Sequence, residues 1–232
     1  MRNARLFFLL LPLAVVVARA ETDAKASERF SVLGLAFNGE YQYPSDELRV
    51  LRGRKTNIRG VSLSLFHEDR KSVWGLSVGL GYPFFYDFDR LASIEDMAGI
   101  QLALLGGRTE KLNGIQIAGL TVENDGGFNG VTFAGLANIS GFGHESTSCG
   151  LQIALLGNVA VDIKGVQIAL LNGTGELRGL QIGAVNFAEK TLGLQIGLAN
   201  FSEEGFGLQI GLFNLFGKKD DRRILPLVNW RF

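Results

Sequence analysis

The stretch GLQIGAVNFAEKTL (Gly179–Leu192) runs directly into GLQIGLANFSEEGF (Gly193–Phe206) and then GLQIGLFN (Gly207–Asn214). These copies start 14 residues apart. Looser copies start at Gly165 (GVQIALLN), Gly150 (GLQIALLGN), Gly130 (GVTFAGLAN), Gly114 (GIQIAGL), Gly99 (GIQLALL), Gly75 (GLSVGLG) and Gly60 (GVSLSLF), ten copies in all. Each reads glycine, apolar, polar, apolar, small. The polar position holds Ser62, Ser77, Gln101, Gln116, Thr132, Gln152, Gln167, Gln181, Gln195 and Gln209, always flanked by Val, Leu, Ile or Phe. Alternation with period two puts these residues on opposite faces of a β-strand, whereas a helix would scatter them around its axis. The fold class is therefore all-β, with a tandem repeat from about residue 60 to 216.

Between copies lie short polar pieces such as Ala188-Glu189-Lys190 and Ser202-Glu203-Glu204-Gly205. Asn158, Asn172, Asn186, Asn200 and Asn214 recur every 14 residues. Asparagine hydrogen-bonds locally and tolerates left-handed backbone, so these positions are expected at strand exits.

Two architectures use such a repeat. In an antiparallel transmembrane β-barrel each unit is one strand and one turn. In a β-solenoid of 14-residue repeats each unit is one coil, and the glutamines stack into a ladder. Three features favour a barrel of about 12 strands. The second half of most units is short and charged, without evident alternation. A strand of ~10 residues plus a short turn suits a membrane crossing of about 9–11 residues. The chain ends in a strand-like segment, Arg223–Phe232, with Ile224, Pro226, Val228, Trp230 and Phe232 on one face. A strand near residues 29–41, the ten copies and this last segment give an even count, as bacterial barrels have. On this reading Gln101, Gln116, Thr132, Gln152, Gln167, Gln181, Gln195 and Gln209 line a water-filled lumen, and the aliphatic positions face outer-membrane lipid.

The N-terminus carries Arg2 and Arg5, an apolar run from Leu6 to Val17 broken by Pro12, and Ala18-Arg19-Ala20. That order reads as a signal peptide over residues 1–20, leaving 21–232 as a single domain. Twelve residues are too few to cross ~30 Å of hydrocarbon. Export to the outer membrane, or secretion as the alternative, is the expected destination.

The composition excludes several functions. Zero net charge points to no nucleic-acid partner, and a single cysteine, Cys149, forms neither an internal disulfide nor a zinc cluster. His67 and His144 stand apart beside acids, where solvated loops are the simplest placement. The glycines sit at strand starts and open no phosphate-binding helix. No enzyme activity, cofactor or metal is expected. The cluster Tyr82-Pro-Phe-Phe-Tyr-Asp-Phe88 suits an interfacial aromatic belt or a ligand-contacting loop.

The ending Trp230-Arg231-Phe232, with alternating apolar residues before it, resembles the closing strand of bacterial outer-membrane barrels. The resemblance implies that Trp230 and Phe232 are read by the barrel assembly machinery. Pro226 departs from the pattern. The repeated GLQIGLxN, over roughly residues 99–232, also resembles bacterial surface-repeat proteins of spirochaetes and other diderms. That resemblance implies a surface location and no particular activity. The expected function is a passive, weakly selective pore for small solutes, or else a secreted or surface-attached solenoid that binds a surface ligand.

Overall fold

A computed structural model describes residues 30–36, 56–64, 70–81, 94–141, 147–218 and 221–231. The elements are β1 (Phe30–Ala36), β2 (Thr56–Ser64), β3 (Arg70–Gly81), β4 (Ile94–Ala118), β5 (Thr121–Asn124) and β6 (Phe128–Ala134). They continue as β7 (Ala137–Ser140), β8 (Thr147–Ala154), β9 (Gly157–Ile168), β10 (Leu171–Phe216) and β11 (Arg223–Arg231). The described chain is all-β.

The repeat dictates how strands pair. Gly60 lies opposite Gly75, and Gly75 opposite Gly99. Gly114 lies opposite Gly130, Gly130 opposite Gly150, Gly150 opposite Gly165, and Gly165 opposite Gly179. All pairings from β1 to β10 are parallel. β4 and β10 are long because each stacks on itself: Gly114 lies against Gly99, Gly193 against Gly179 and Gly207 against Gly193.

Parallel neighbours force the chain to travel back before each new strand. It returns along a second face. Gly106–Thr109 of β4 pairs with β5, β5 with β7, β7 with the start of β9, and that start with Leu171–Thr174 of β10. From Gly99 onward each repeat is thus one coil, with a GxQxA strand on one face and a shorter strand on the other. The molecule is a β-solenoid, the alternative architecture, and not an antiparallel barrel. The barrel reading is corrected by the parallel register.

The second half of each unit does alternate, but with its polarity reversed. Asn138 and Ser140, Asn158 and Ala160, Asn172 and Thr174, and Asn186 and Ala188 are buried. Val159 and Phe187 between them point outward and are exposed. Read as apolar-in and polar-out, such a segment shows no strand.

β11 is the exception to parallel stacking. It runs antiparallel along the last coil, from Arg231 opposite Gly207 to Arg223 opposite Phe216. The C-terminal segment is a strand as expected, but it caps a stack rather than closing a seam. Pro226 falls where the register shifts, between Leu227 opposite Gly211 and Leu225 opposite Asn214, so its missing N–H interrupts no regular ladder.

Candidate functional site

The interior of the solenoid consists of columns, each contributed one residue per coil. An apolar column contains Ile58, Val73, Met97, Leu112, Phe128, Ile163 and Leu177. A small-residue column contains Ala118, Ala134, Ala154 and Ala169. A mixed column contains Ser140, Ala160, Thr174, Ala188 and Ser202, and two further columns are amides.

The residues expected to line a lumen form the first of these. Gln101 is 8% exposed, and Gln116, Thr132, Gln152, Gln167, Gln181, Gln195 and Gln209 are fully buried. Gln181 Nε2 donates to Gln167 Oε1 at 2.8 Å, Gln195 to Gln181 at 2.8 Å, and Gln209 to Gln195 at 2.8 Å. Gln116 and Gln167 donate in the same way to Gln101 and Gln152. With no barrel there is no lumen for these residues to line. Their partners are one another, the Ser140 hydroxyl, to which Gln152 donates at 3.0 Å, and backbone carbonyls, including those of Phe187, Phe201 and Leu215. An amide taken from water is costly unless bonded, and stacking at the strand spacing bonds it.

The recurring asparagines form the second ladder. Asn138 donates to Asn158, Asn158 to Asn172, Asn172 to Asn186, Asn186 to Asn200 and Asn200 to Asn214, at 2.8–3.0 Å. Asn172, Asn186 and Asn200 also donate to the carbonyls of Ile182, Ile196 and Ile210. These residues are ladder members and not strand-exit turn residues. The two ladders point in opposite senses. Each glutamine donates to the coil before it, and each asparagine to the coil after it. Aligned amides polarise one another within a ladder.

The ladders break near one place. Thr132 is too short to bridge Gln116 and Gln152. Gln116 Oε1, Asn124 Nδ2, Thr132 Oγ1 and Asn138 Oδ1 are buried there without a hydrogen-bond partner. At the C-terminal end, Gln209 Oε1 and Asn229 Oδ1 on the capping strand are likewise unpartnered.

With amides inside, the aliphatic residues of GLQI are outside. Val61, Leu63, Ile100, Leu102, Ile115, Ile117, Phe133 and Ile210 are 37–45% exposed. The GxQxA face presents two such residues at each of its ten levels, and none of these positions is charged. Beside it the chain bends toward the second face, and a leucine ridge stands out there: Leu104, Leu155, Leu170, Leu198 and Leu212 are 51–64% exposed. On its other margin runs the row of residues just before each glycine. This row contains Arg59, Trp74, Lys164, Arg178 and Phe206, all exposed, and no acid. The Arg59 guanidinium lies 5.1 Å from the centre of the Trp74 ring.

Several charges beyond that margin are paired, in one case with a residue of the margin itself. Glu176 bonds Arg178 and, at 3.4 Å, Lys190. The Arg178 hydrogen bond outweighs the opposing effect of burial and, with a smaller contribution from Lys190, holds the Glu176 carboxyl below its ordinary range. Lys218 bonds Glu204, which lowers the carboxyl and raises the amine. Arg108 bonds Asp125 at 2.8 Å.

Trp230 lies on β11 and is 47% exposed. Phe232, residues 1–20 with the expected signal peptide, His67, His144 and the aromatic cluster 82–88 lie outside the described residues. The outward aliphatic face was visible in the repeat. The asparagine column was missed, although its signal was present in the same 14-residue spacing as the glutamines.

Comparison of the chain with protein-family models, with curated proteins and with solved structures gave no match.

Proposed function

We propose that this chain is an exported, surface-attached β-solenoid that acts as a binding or adhesion scaffold without enzymatic activity. The observation that carries this reading is the uncharged aliphatic face. Ten levels at about 4.8 Å and a width of five residues at about 3.3 Å give roughly 800 Å². That exceeds the largest apolar patch of a typical soluble monomer, about 300–600 Å², and patches of that size mark interaction surfaces. The face is also rigid. Its strands are fixed by the backbone ladder and, from inside, by the two amide columns. A partner therefore meets a preformed surface and pays little ordering entropy. The N-terminal charges, apolar run and Ala18-Arg19-Ala20 support export.

The test is fractionation of cells that make the full chain, compared with a Leu102→Glu/Ile117→Glu variant. Both substituted side chains point outward, so folding should survive. The wild type should stay with the cell envelope after a high-salt wash and be cut by protease added to intact cells. The variant should move to the soluble exported fraction. Cytoplasmic retention of the wild type, or equal envelope retention of both, would refute the reading.

A further inference from the structure

We infer that the aliphatic face, on which the scaffold reading rests, seats in the headgroup–acyl boundary of an anionic lipid bilayer. The row Arg59, Trp74, Lys164, Arg178 and Phe206 then lies at headgroup level. Three observations favour lipid over a second copy of the chain.

The first is shape. The GxQxA face and the leucine ridge meet at the bends around residues 119–120, 135–136, 155–156 and 169–170. Leu155 and Leu170 sit on that corner and are 64% and 51% exposed. A flat partner covering the face would leave the ridge in water. A fluid acyl layer covers both.

The second is the distribution of charge. No charge interrupts the face, and its margin carries three basic and two aromatic residues without an acid. Tryptophan, lysine and arginine are the side chains that settle at a membrane interface, and basic groups there are drawn to anionic headgroups. The acids stand further back; Glu176 there is paired with Arg178 of the margin and with Lys190, and Glu204 with Lys218. A docked second copy would bring basic margin against basic margin in a two-fold arrangement that places equivalent rows together.

The third is backbone. Hydrocarbon tolerates no unpaired N–H or C=O. Here the strands beneath the face are hydrogen-bonded from level to level, and the polar side chains of those strands are buried on the inside. The fold already satisfies what a bilayer demands on this side, while its charged rows stay in water. The molecule lies in the interface rather than spanning it.

The experiment uses purified full chain with two kinds of vesicle: phosphatidylglycerol mixed with phosphatidylethanolamine, and phosphatidylcholine alone. Co-sedimentation should show binding to both and a preference for the anionic vesicles. Brominated acyl chains should quench tryptophan fluorescence. Lys164→Gln with Arg178→Gln should lose about tenfold or more of the anionic binding and little of the neutral binding. Leu155→Asp with Leu170→Asp should weaken both, and unchanged circular dichroism would show that each variant is folded. Folded wild-type chain that binds neither vesicle overturns the inference. If that chain is instead a stable dimer that Ile117→Glu dissociates, the scaffold reading stands with a second copy as the occupant. If Ile117→Glu alters neither association nor envelope retention, the scaffold reading falls as well.

Discussion

Gly165 adopts φ 151°, and a β-carbon built on it would lie 1.9 Å from the Gly150 carbonyl oxygen. The repeat glycine is needed twice over, for its backbone angle and for the close approach of one coil to the next. Gly165→Ala should therefore cost at least ~2 kcal/mol of unfolding free energy. Gly173 has nothing within 4 Å of such a carbon, so Gly173→Ala should be neutral or stabilise by up to ~1 kcal/mol. Urea unfolding of the two variants checks the contrast. A second residue pair separates the solenoid from a barrel. In a barrel, arginine at the lipid-facing Ile196 is the severe change and arginine at the lumen-facing Gln195 is mild. In the solenoid the order reverses. Gln195 is fully buried, donating to Gln181 and accepting from Gln209, so Gln195→Arg places an uncompensated charge in the amide column. It should cost roughly 3–5 kcal/mol. Ile196 points outward, and Ile196→Arg should change stability in detergent-free buffer by less than ~1 kcal/mol. Equal losses would contradict the assignment of faces.

At the level of the element, continuity of the ladders decides stability. Thr132 interrupts the glutamine column and leaves Gln116 Oε1 without a donor. Thr132→Gln would supply a donor to Gln116 and an acceptor to Gln152. A net gain of about 1 kcal/mol is expected, read as a raised urea midpoint with unchanged slope. A loss would mean that the coil around Thr132 cannot accommodate the longer side chain. The acid response should come from the surface rows, since neither amide ladder titrates. The Glu176 carboxyl is held below its ordinary value of 4.5 by Arg178 and then Lys190. Its contribution is complete above that value and is lost as pH falls through the lower folded-state value. Ion pairs at the surface are screened, so no more than ~1 kcal/mol is at stake. Melting temperature should be level from pH 7 to about 5 and fall at lower pH, and Glu176→Gln should lower the neutral plateau slightly and flatten the acid limb.

Over the whole molecule, stability is close to a sum of coils and coil–coil interfaces. Removing Leu180 to Gly193 joins Gly179 to Leu194 and deletes one 14-residue coil without changing any column. The shortened chain should fold, lose about 4.8 Å of length by small-angle scattering and keep its circular dichroism signature. Failure to fold would indicate that the stack is not modular. The two ends of the stack are not equivalent. Among the described residues, β1 ends the sheet on one side and β11 on the other. β11 buries only Asn229 fully and holds Leu227 at φ 66°, a strained angle for leucine. A cap that is antiparallel, bent at Pro226 and poorly buried is a weak template for further strands, which blunts the edge.

Strand identity, repeat boundaries and the in–out alternation of GLQIG were all present in the sequence, because period two is a local property of the chain. The even 14-residue spacing fixed that equivalent residues share a face. A barrel with lipid outside and a solenoid with an amide core both place the aliphatic residues outward, so that orientation was legible, but whether the glutamines face a wet lumen or a packed stack was not. Nor did the spacing fix parallel against antiparallel pairing, which depends on where the chain goes between copies. The short returning strand around Asn172, Asn186 and Asn200 settles that choice. Its polarity is inverted, so it reads as a turn until a second amide column can be seen bonding from coil to coil. The glutamines had to be either wet or stacked. Only the tertiary structure decided that they are stacked, because their partners lie 14 or 15 residues away along the chain, at the same height in neighbouring coils.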